Sequence, residues 1–375
     1  MRDDARIATL IKLVDMCINK NMPADKSLDT FFRKNRFIGS KDRRFLTDTL
    51  WEVLRHRYAL EHKAKSSNPR NIVIAYLDGK ADLKALFSGE NYAPEPITVN
   101  EMEFDLSPPP PEMPEFLLKK LKDKFGLEWE EALKAFCSPA RLDLRVNTIK
   151  ASIEDCVKIL KAEKTPLSKL GVFLAQRINL KDNELFKKGC VDIQDEGSQL
   201  ICEFCDIKSG EKVLDICAGA GGKALTLAIL MRNSGSITVS DVDKKRMKDI
   251  WARAKRTGIT IINDEPYVDK NFDAVLIDAP CSGSGTLRRN PDKKWKINEK
   301  VVADLLPIQS GLLDRAVDLG DKVVYATCSF IKEENEEQIA AFLQRHPEFK
   351  KVKEKFLSPF TSNTDAFYMC MLAKD

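Results

Sequence analysis

The sequence contains few of the side chains from which proteins usually build metal sites. Only three histidines occur among 375 residues, and the one Cys-x-x-Cys pair, Cys202 and Cys205, has no second pair at zinc spacing. We therefore predict that the chain binds no metal, and we interpret these two cysteines as small apolar positions on a helix.

Long apolar runs are also absent. No segment approaches the roughly 18 apolar residues of a membrane-spanning helix, and the opening MRDDARIATL lacks the apolar stretch of a secretory signal peptide. Ten cysteines are distributed singly, without a disulfide framework. These features predict a cytoplasmic protein with reduced thiols and no membrane partner, and we expect it to be a monomer.

Charge is nearly balanced overall but not along the chain. The net charge is +4, whereas residues 1–65 alone hold 15 Lys and Arg against 9 Asp and Glu. A basic segment of this kind indicates a nucleic acid or another acidic partner. The exposed surface of an ordinary helical domain would explain the excess equally well.

Composition and periodicity divide the chain into four predicted segments. Residues 1–105 follow the helical period, with Ser40 as an expected helix N-cap, and predict an all-α domain. Residues 106–115 include four consecutive prolines and predict an extended linker. Residues 116–188 predict a small α+β module, and residues 189–375 a larger α/β domain. The apolar stripe after the expected cap consists of Leu46, Leu50, Val53 and Leu54.

Strand and helix patterns alternate regularly in the last segment. The expected strands are 212–218, 236–241, 272–279 and 322–329. Apolar strands that alternate with helices form a doubly wound, mostly parallel sheet, which binds ligands at the carboxyl ends of its strands. A glycine-rich loop, Asp241, Cys281 and Cys328 all fall at predicted strand ends, so we expect a shared site there.

The glycine-rich loop, VLDICAGAGGKA, joins a predicted strand to a predicted helix. Gly219, Gly221 and Gly222 would let the backbone approach a ligand closely. The P-loop pattern is absent, and so is the GxGxxG spacing of dinucleotide sites. Asp241 ends the next predicted strand, where an acid suits ribose hydroxyls. The pair fits a dinucleotide or S-adenosylmethionine, and the missing GxGxxG spacing disfavours the dinucleotide.

Two cysteines stand where the chain turns rather than inside apolar runs. Cys281 lies in DAPCSGSG and Cys328 in YATCS, each at the end of a predicted strand. Methyl transfer to nitrogen or oxygen needs no thiol, whereas the C5 carbon of a pyrimidine becomes nucleophilic only after a thiolate adds to C6. A second polar group would assist release. Asp278, in the same turn as Cys281, is placed to hold the N3/N4 edge of a cytosine.

These motifs resemble the RsmB/Sun (Fmu) family of RNA cytosine-C5 methyltransferases. The resemblance rests on LDICAGAGGKA, DAPCSGSG and YATCS, and extends to RRNPDKKW, LPIQS, CSFIKEENE, VDIQDEGSQ and DAFYMCML. FFRKNRFIGSKDRRF is similar to the NusB-like helical domain of the bacterial ribosomal members, and LDLRVNTIKAS to the family's small RNA-recognition-like module. The resemblance covers nearly the whole chain and implies a Rossmann-like methyltransferase domain at 189–375.

The resemblance also implies a role for each matching residue. Cys328 is the nucleophile and Cys281 assists product release. Lys223 and Asp278 lie near the cofactor sulfonium and the target base. The cofactor-binding residues are Cys217, Ala218, Gly219, Ala220, Gly221, Gly222, Lys223 and Asp278, with Asp241 on the ribose and Asp264 on the adenine. The loop departs from the usual Ala-Pro-Gly-Gly-Lys-Thr at Ala220 and Ala224, which replace the proline and the threonine.

By this resemblance we expect an S-adenosylmethionine-dependent RNA cytosine-C5 methyltransferase that acts on 16S rRNA through a covalent Cys–C6 adduct. We expect RNA contacts from the basic first segment and from the small module. The candidates are Arg33, Lys34, Arg36, Arg43, Arg44 and Arg145. Two alternatives stay open, namely the same reaction on tRNA and a non-catalytic RNA-binding or ribosome-assembly factor.

Overall fold

The structure is a computed structural model that describes residues 1–175, 180–267 and 271–374. The chain forms two compact units. The helical unit consists of Met1–Lys122 and Leu287–Ile297, and the sheet unit of Asp123–Thr286 and Asn298–Asp375. The boundaries expected at 105, 115 and 188 stay predictions, since compactness groups both the proline-rich segment and residues 287–297 with the N-terminal helices.

Amphipathic helices form the helical unit. They are α1 (Asp3–Ile18), α2 (Ala24–Lys34), α3 (Ser40–Arg55), α4 (Arg57–Ala64), α5 (Pro69–Leu77), α6 (Leu83–Leu86) and α7 (Glu115–Phe125), which runs into the sheet unit. The apolar stripe expected in α3 is confirmed, because Leu46 and Leu50 are fully buried in one core with Leu10 of α1. The expected cap is wrong by one position. Gly39 precedes the helix, Ser40 is its first residue, and no side chain caps it.

The proline-rich segment is attached to the helical unit. Residues 107–114 form neither helix nor strand, as four consecutive prolines require. The Glu112 carboxylate accepts a hydrogen bond of 2.9 Å from the backbone N–H of Tyr58, in the first turn of α4. The buried Lys294 ammonium donates to the same carboxylate at 3.1 Å and to the Arg55 carbonyl at 2.8 Å. These bonds hold the segment and residues 287–297 within the unit.

A four-stranded antiparallel sheet forms the small α+β module of the sheet unit. It follows α8 (Trp129–Phe136), and its core includes Leu144, Val146 and Val172. Its third strand ends at Leu174, and residues 176–179 lie outside the described part of the chain. The elements are β1 (Leu142–Val146), α9 (Ile153–Leu160), β2 (Glu163–Lys164), β3 (Gly171–Leu174), α10 (Glu184–Lys187) and β4 (Val191–Ile193), with strand order β2-β3-β1-β4.

The larger sheet has seven strands. They are β5 (Lys212–Asp215), β6 (Ser236–Val239), β7 (Ile262–Asn263), β8 (Ala274–Asp278), β9 (Lys322–Thr327), β10 (Phe349–Leu357) and β11 (Phe367–Lys374). Their order is β10-β11-β9-β8-β5-β6-β7, with β5 to β9 parallel and the last two antiparallel. The doubly wound, mostly parallel sheet is therefore confirmed, and its four expected strands are present.

Helices precede and connect the strands of the larger sheet in the sequence. They are α11 (Glu196–Phe204), α12 (Gly222–Leu230), α13 (Lys248–Thr257), α14 (Glu299–Ala316), α15 (Glu336–Arg345) and α16 (Pro359–Ser362). Buried side chains of the strands and helices form two core clusters. Across the described residues, no helix is long and apolar enough to cross a membrane.

The strand order reverses between β5 and β8. From β5 the chain continues outward to β6 and β7, and it then returns to β8 and β9 on the other side. A reversal of this kind opens a crevice at the carboxyl ends of the strands, where doubly wound sheets bind ligands. Asp215 ends β5, Asp278 ends β8, and Cys328 follows β9 directly. The fold therefore brings the expected site residues to one edge.

Candidate active site

The glycine-rich loop connects β5 to α12 in a conformation that two of its glycines make possible. Gly219 has φ of +51° and Gly221 has φ of +76°, both in the left-handed region that disfavours side chains. A Cβ at Gly221 would also lie 2.8 Å from Ile250 of α13. The Gly221 N–H donates to the Ala218 carbonyl at 2.8 Å, which closes the turn. The result is a narrow backbone cradle at the N-terminus of α12, with no room for a side chain at Gly221.

Asp241 lies beside this cradle. Its carboxylate accepts a hydrogen bond of 2.9 Å from the Gly219 N–H, and Arg246 Nη1 lies 3.5 Å from the same oxygen. Val242, the next residue, is fully exposed although it is apolar. Val242 was not predicted as a site residue; the only sequence signal for it is its apolar side chain directly after the expected ribose acid.

Asp264 follows β7 at the same edge of the sheet. Thr238 of β6 pairs with Asn263 of β7 in parallel register, so Asp264 comes after the strand beside the one that leads to Asp241. The Asp264 side chain is exposed. Its place fits the expected adenine contact, which stays a prediction.

Lys223 and Asp278 form an ion pair across the crevice. The Lys223 ammonium, in the first turn of α12, donates to Asp278 at 2.6 Å. Burial would lower the pKa of Lys223, but the charge of Asp278 and the hydrogen bond raise that pKa above its ordinary value. Lys223 therefore carries its proton at neutral pH and stabilises the negative charge on Asp278.

A further carboxylate in the site was not assigned a role from the sequence. Asp215, the last residue of β5, is completely buried. Burial, and next the charge of Asp278, raise the pKa of Asp215 to about 7, and Lys223 opposes this increase. The sequence signal that could have identified it is an aspartate at the end of an apolar strand, immediately before the glycine loop.

The two cysteines of the DAPCSGSG and YATCS turns meet at this edge. Cys281 Sγ lies 3.3 Å from Cys328 Sγ, and both side chains are partly exposed. The hydrogen bond with Cys328, and next burial, raise the pKa of Cys281 well above its ordinary value. In such a pair one thiol keeps the shared proton. The raised pKa marks Cys281 as the thiol that keeps its proton.

A buried glutamate, Glu334, connects the two cysteine turns through hydrogen bonds. Glu334 is completely buried and accepts hydrogen bonds from Ser282, Ser329 and Gln309. Gln309 and Glu334 lie in the LPIQS and CSFIKEENE segments, for which the sequence predicted a family resemblance but no function. Glu334 lies in the charged run KEENEE, which gives no indication that one of its side chains is buried.

Arg145 was expected to contact RNA, and the structure corrects this. Its side chain is 1% exposed, and one guanidinium nitrogen donates to Gln194, to Thr226 and to the Gly222 carbonyl at 2.9 Å. Arg145 therefore supports the start of α12 from within the protein. A guanidinium enclosed in this way does not present its donors to a phosphate.

The basic residues of the helical unit have different surroundings. Arg33, Lys34, Arg36 and Arg44 are exposed, and Arg33 pairs with Asp29 at 2.7 Å. Arg43 is half-buried, donates to the Ile38 carbonyl at 2.8 Å and lies over the Phe32 ring. Four of the five candidates are thus accessible to a phosphate backbone, and their role in RNA binding stays a prediction.

Comparison with known proteins points to one family. Residues 203–372 match the family model described as 16S rRNA methyltransferase RsmB/F, and residues 113–181 match the ferredoxin-like domain of RsmF/B-like methyltransferases. The chain is 35% identical over 296 residues to the probable ribosomal RNA small subunit methyltransferase B of Bacillus subtilis (strain 168). It is 32% identical over 251 residues to ribosomal RNA small subunit methyltransferase B of Yersinia pseudotuberculosis serotype O:1b (strain IP 31758).

These matches cover 70% and 63% of this chain but 66% and 58% of the two relatives, less than two thirds of each. The crystal structure of PH0851 superposes with a TM-score of 0.81 at 24% identity and covers 99% of both chains. That of a methyltransferase homolog protein from Pyrococcus horikoshii has a TM-score of 0.61 at 26% identity, over 68% of this chain and 94% of the other. Within the described ranges, no cluster of three or more His, Cys, Asp or Glu could hold a metal ion. From its two domain matches and its curated relatives, the chain belongs to the RsmB/F family of methyltransferases.

Proposed function

We propose that the protein is an S-adenosylmethionine-dependent RNA cytosine-C5 methyltransferase that acts on 16S rRNA. The observation that carries this proposal is the 3.3 Å approach of Cys281 and Cys328 beside the Lys223–Asp278 ion pair. Methyl transfer to nitrogen or oxygen uses no thiol, whereas transfer to C5 of a pyrimidine needs a nucleophile that adds to C6. Two neighbouring thiols in a crevice with a glycine cradle suit that reaction.

The cradle fits the proposed cofactor. A Cβ built at Gly222 would meet no atom within 4 Å, so the loop leaves open space there for a ligand to approach. Asp241, held by the Gly219 N–H, would accept hydrogen bonds from the ribose hydroxyls, and Val242 would offer an apolar surface to the purine. The remaining loop residues, Cys217, Ala218, Ala220 and Gly222, would surround the methionine portion, and Asp264 would approach the adenine. When bound, S-adenosylmethionine supplies an electrophilic methyl group.

The residues of the site then divide the reaction between them. The Cys328 thiolate forms a bond to C6, and the ring electrons shift to C5, which accepts the methyl group. Asp278 holds the N3/N4 edge of the base and is itself held by Lys223. The C5 proton departs to a base, the C5–C6 double bond forms again, and Cys328 leaves as a thiolate. The protonated Cys281 thiol donates a hydrogen bond to that leaving sulfur.

The proposed substrate follows from the family and from charge. The curated relatives are named for the small subunit ribosomal RNA. The exposed Arg33, Lys34, Arg36 and Arg44 would add a salt-dependent attraction to the phosphate backbone. The target cytosine has to leave its stack, which costs a few kcal/mol and less in a single-stranded segment. Ribosomal RNA that is not yet assembled would lower this cost.

The experiment is methyl transfer from labelled S-adenosylmethionine to unmodified 16S rRNA, followed by base analysis. We expect label at cytosine C5 for the wild type, none for Cys328→Ala, and a stable protein–RNA adduct for Cys281→Ala. Cys137→Ala, at the end of α8, is the matched control and should behave like the wild type. Label on tRNA but not on rRNA would overturn the substrate, and label on neither RNA would favour a non-catalytic RNA-binding factor.

A further inference from the structure

One buried carboxylate connects the two cysteine turns. Glu334 lies in a short 3-10 turn (Lys332–Glu334) after β9 and has no exposed surface. Its Oε1 accepts the Ser282 backbone N–H at 2.7 Å, and its Oε2 accepts the Ser282 hydroxyl at 2.6 Å and the Ser329 hydroxyl at 2.5 Å. Ser282 follows Cys281 and Ser329 follows Cys328. A single side chain therefore holds the residues next to both thiols.

The remaining acceptor position of Glu334 is also used. Gln309 Nε2, on α14, donates to Oε1 at 3.1 Å and to the Pro280 carbonyl at 3.0 Å. Four donors thus point at the two oxygens, which matches the acceptor capacity of an ionised carboxylate. Gln309 extends the same connection to the residue that precedes Cys281. The turn around Cys281 is therefore held on both sides of the cysteine.

The position of Glu334 itself is fixed by its backbone. The Tyr325 hydroxyl of β9 donates to the Glu334 carbonyl at 2.7 Å, and Asn335 Nδ2 donates to the Ser329 carbonyl at 2.9 Å. Another bond links the turns independently, from the Gly285 N–H to the Cys328 carbonyl at 2.9 Å. Loss of the Glu334 side chain would therefore loosen the two turns locally without separating the strands that carry them.

We propose that Glu334 is a positioning residue that sets the distance and orientation between Cys281 and Cys328 by connecting Ser282 to Ser329. The inference rests on the proposed function, because only a reaction that uses both thiols needs this spacing. A buried carboxylate is costly to desolvate unless hydrogen bonds compensate for it. Here the compensating donors are backbone and hydroxyl groups of the two turns, so its bonds hold those turns together.

The charge of Glu334 adds a second effect on the pair. The hydrogen bond with Cys328 and burial raise the pKa of Cys281, and the negative charges of Cys328 and Glu334 raise it further. A carboxylate next to the Cys281 turn thus favours the protonated Cys281 thiol. That is the form which can donate to Cys328 as it leaves.

Two substitutions of Glu334 distinguish the effect of its hydrogen bonds from the effect of its negative charge. Glu334→Gln keeps the shape of the side chain, since its amide oxygen can accept from the Ser282 N–H and Gln309. Its amide nitrogen can donate to the two serine hydroxyls, whose hydrogens rotate. Glu334→Ala removes all four bonds. Glu337→Ala, an exposed carboxylate on α15, is the matched control.

The first measurement does not depend on methyl transfer. Dibromobimane becomes fluorescent when it joins two neighbouring thiols, and peptide mapping identifies the Cys281–Cys328 product. We expect efficient joining in the wild type, Glu334→Gln and Glu337→Ala, and a severalfold slower reaction in Glu334→Ala. Should Glu334→Ala not fold, the Ser282→Ala/Ser329→Ala double variant carries the test, because it removes both hydroxyl bonds and with them the link from Glu334 to Ser329. Joining at the wild-type rate in the variant that lacks the connection would overturn the proposal.

The second measurement is methyl transfer to 16S rRNA by the same variants. A displacement of about 1 Å can cost about 10²-fold in rate, so we expect Glu334→Ala to lower kcat by about that factor with KM for RNA nearly unchanged. Glu334→Gln should stay within about tenfold of the wild type. If Glu334→Gln loses as much kcat as Glu334→Ala while its thiols join normally, charge and not position is responsible, and the proposal is wrong. If the wild type methylates no RNA but the joining results hold, the positioning inference stands and the proposed function fails.

Discussion

Lys223 Nζ lies 2.6 Å from Asp278 Oδ2, so the cofactor loop and the strand that leads to Cys281 are joined by an ion pair. Lys223 lies in the first turn of α12, and Asp278 ends β8, the strand next to β5 in the sheet. The pair spans the crevice where the strand order reverses. The ion pair therefore connects the two halves of the site, the glycine cradle and the turn that carries Cys281.

Replacing Lys223 should impair both stability and methyl transfer. Lys223→Met leaves the Asp278 carboxylate beside the buried Asp215 without a compensating charge, which we expect to lower the free energy of unfolding by about 1–3 kcal/mol. Asp278 is 31% exposed, so water moderates the loss. Urea unfolding should show it. The Lys223→Met/Asp278→Asn double variant should recover part of that stability but not the activity. Equal losses in the single and double variants would show that the ion pair is not their cause.

The glycine cradle gives a second test. Gly221→Ala places a Cβ 2.8 Å from Ile250 and forces a side chain into a left-handed conformation. We expect roughly 1–2 kcal/mol of strain, together with about tenfold or more weaker S-adenosylmethionine binding. Gly311→Ala, on α14 with open space around the added Cβ, is the control. Calorimetric titration measures both. Unchanged affinity in Gly221→Ala would place the cofactor elsewhere.

Arg145 and the exposed basic residues should respond differently to substitution. Charge reversal at Arg33, Lys34, Arg36 and Arg44 should weaken RNA binding and reduce the dependence of log Kd on log salt, since each lost phosphate contact removes about 0.7–0.9 from the slope. Filter binding over a salt series measures this change. Arg145→Met should instead lower stability and cofactor affinity, because Arg145 is buried against the Gly222 carbonyl.

Two results of these binding experiments would contradict the assigned roles of the basic residues. If the four reversals leave the salt slope unchanged, these residues are solvated surface charges, the reading that charge composition left open. If folded Arg145→Met loses RNA affinity with a reduced slope while its cofactor affinity is normal, then Arg145 contacts phosphate after all. Its enclosure within the sheet unit argues against that result.

Sequence patterns predicted the strands that alternate regularly with helices. They did not predict strands whose pairing depends on residues distant in the chain. The four parallel strands were evident because apolar runs alternated with helices, and the strand ends placed Asp241, Asp278, Cys281 and Cys328 at one edge. The antiparallel pair β10–β11 was not predicted. In β10 the alternation is masked by lysines and by a register shift between Lys351 and Lys353.

Polar residues were the harder part of the site. Arg145 reads as a surface charge because it alternates with the apolar Leu144 and Val146 in a short strand. Its partners Gln194, Thr226 and Gly222 are 49 to 81 residues away. Glu334 stands in an acidic stretch, and only folding places Ser282 and Gln309 against it. Burial of a charged group depends on such distant donors, which no local period encodes.

The raised pKa of Asp215 should make the free energy of unfolding depend on pH. Its pKa is about 7 in the folded protein and 3.8 ordinarily, so the folded state binds more protons than the unfolded state between these values. Stability from this group is therefore greatest below about pH 4 and is lost as the pH rises to about 7, by at most about 4 kcal/mol. Other carboxylates act in the opposite direction, so the comparison has to be with a variant.

Asp215→Asn supplies that comparison, because the amide keeps the shape and has no proton to lose. The difference in unfolding free energy between Asp215→Asn and the wild type should become more favourable to the variant from pH 5 to pH 8. Urea unfolding at both pH values measures it, and Gly311→Ala, which changes no titratable group, is the control. A difference that is constant across this range would mean that Asp215 is already ionised at pH 5. In that case the Lys223 ammonium would outweigh burial and the charge of Asp278.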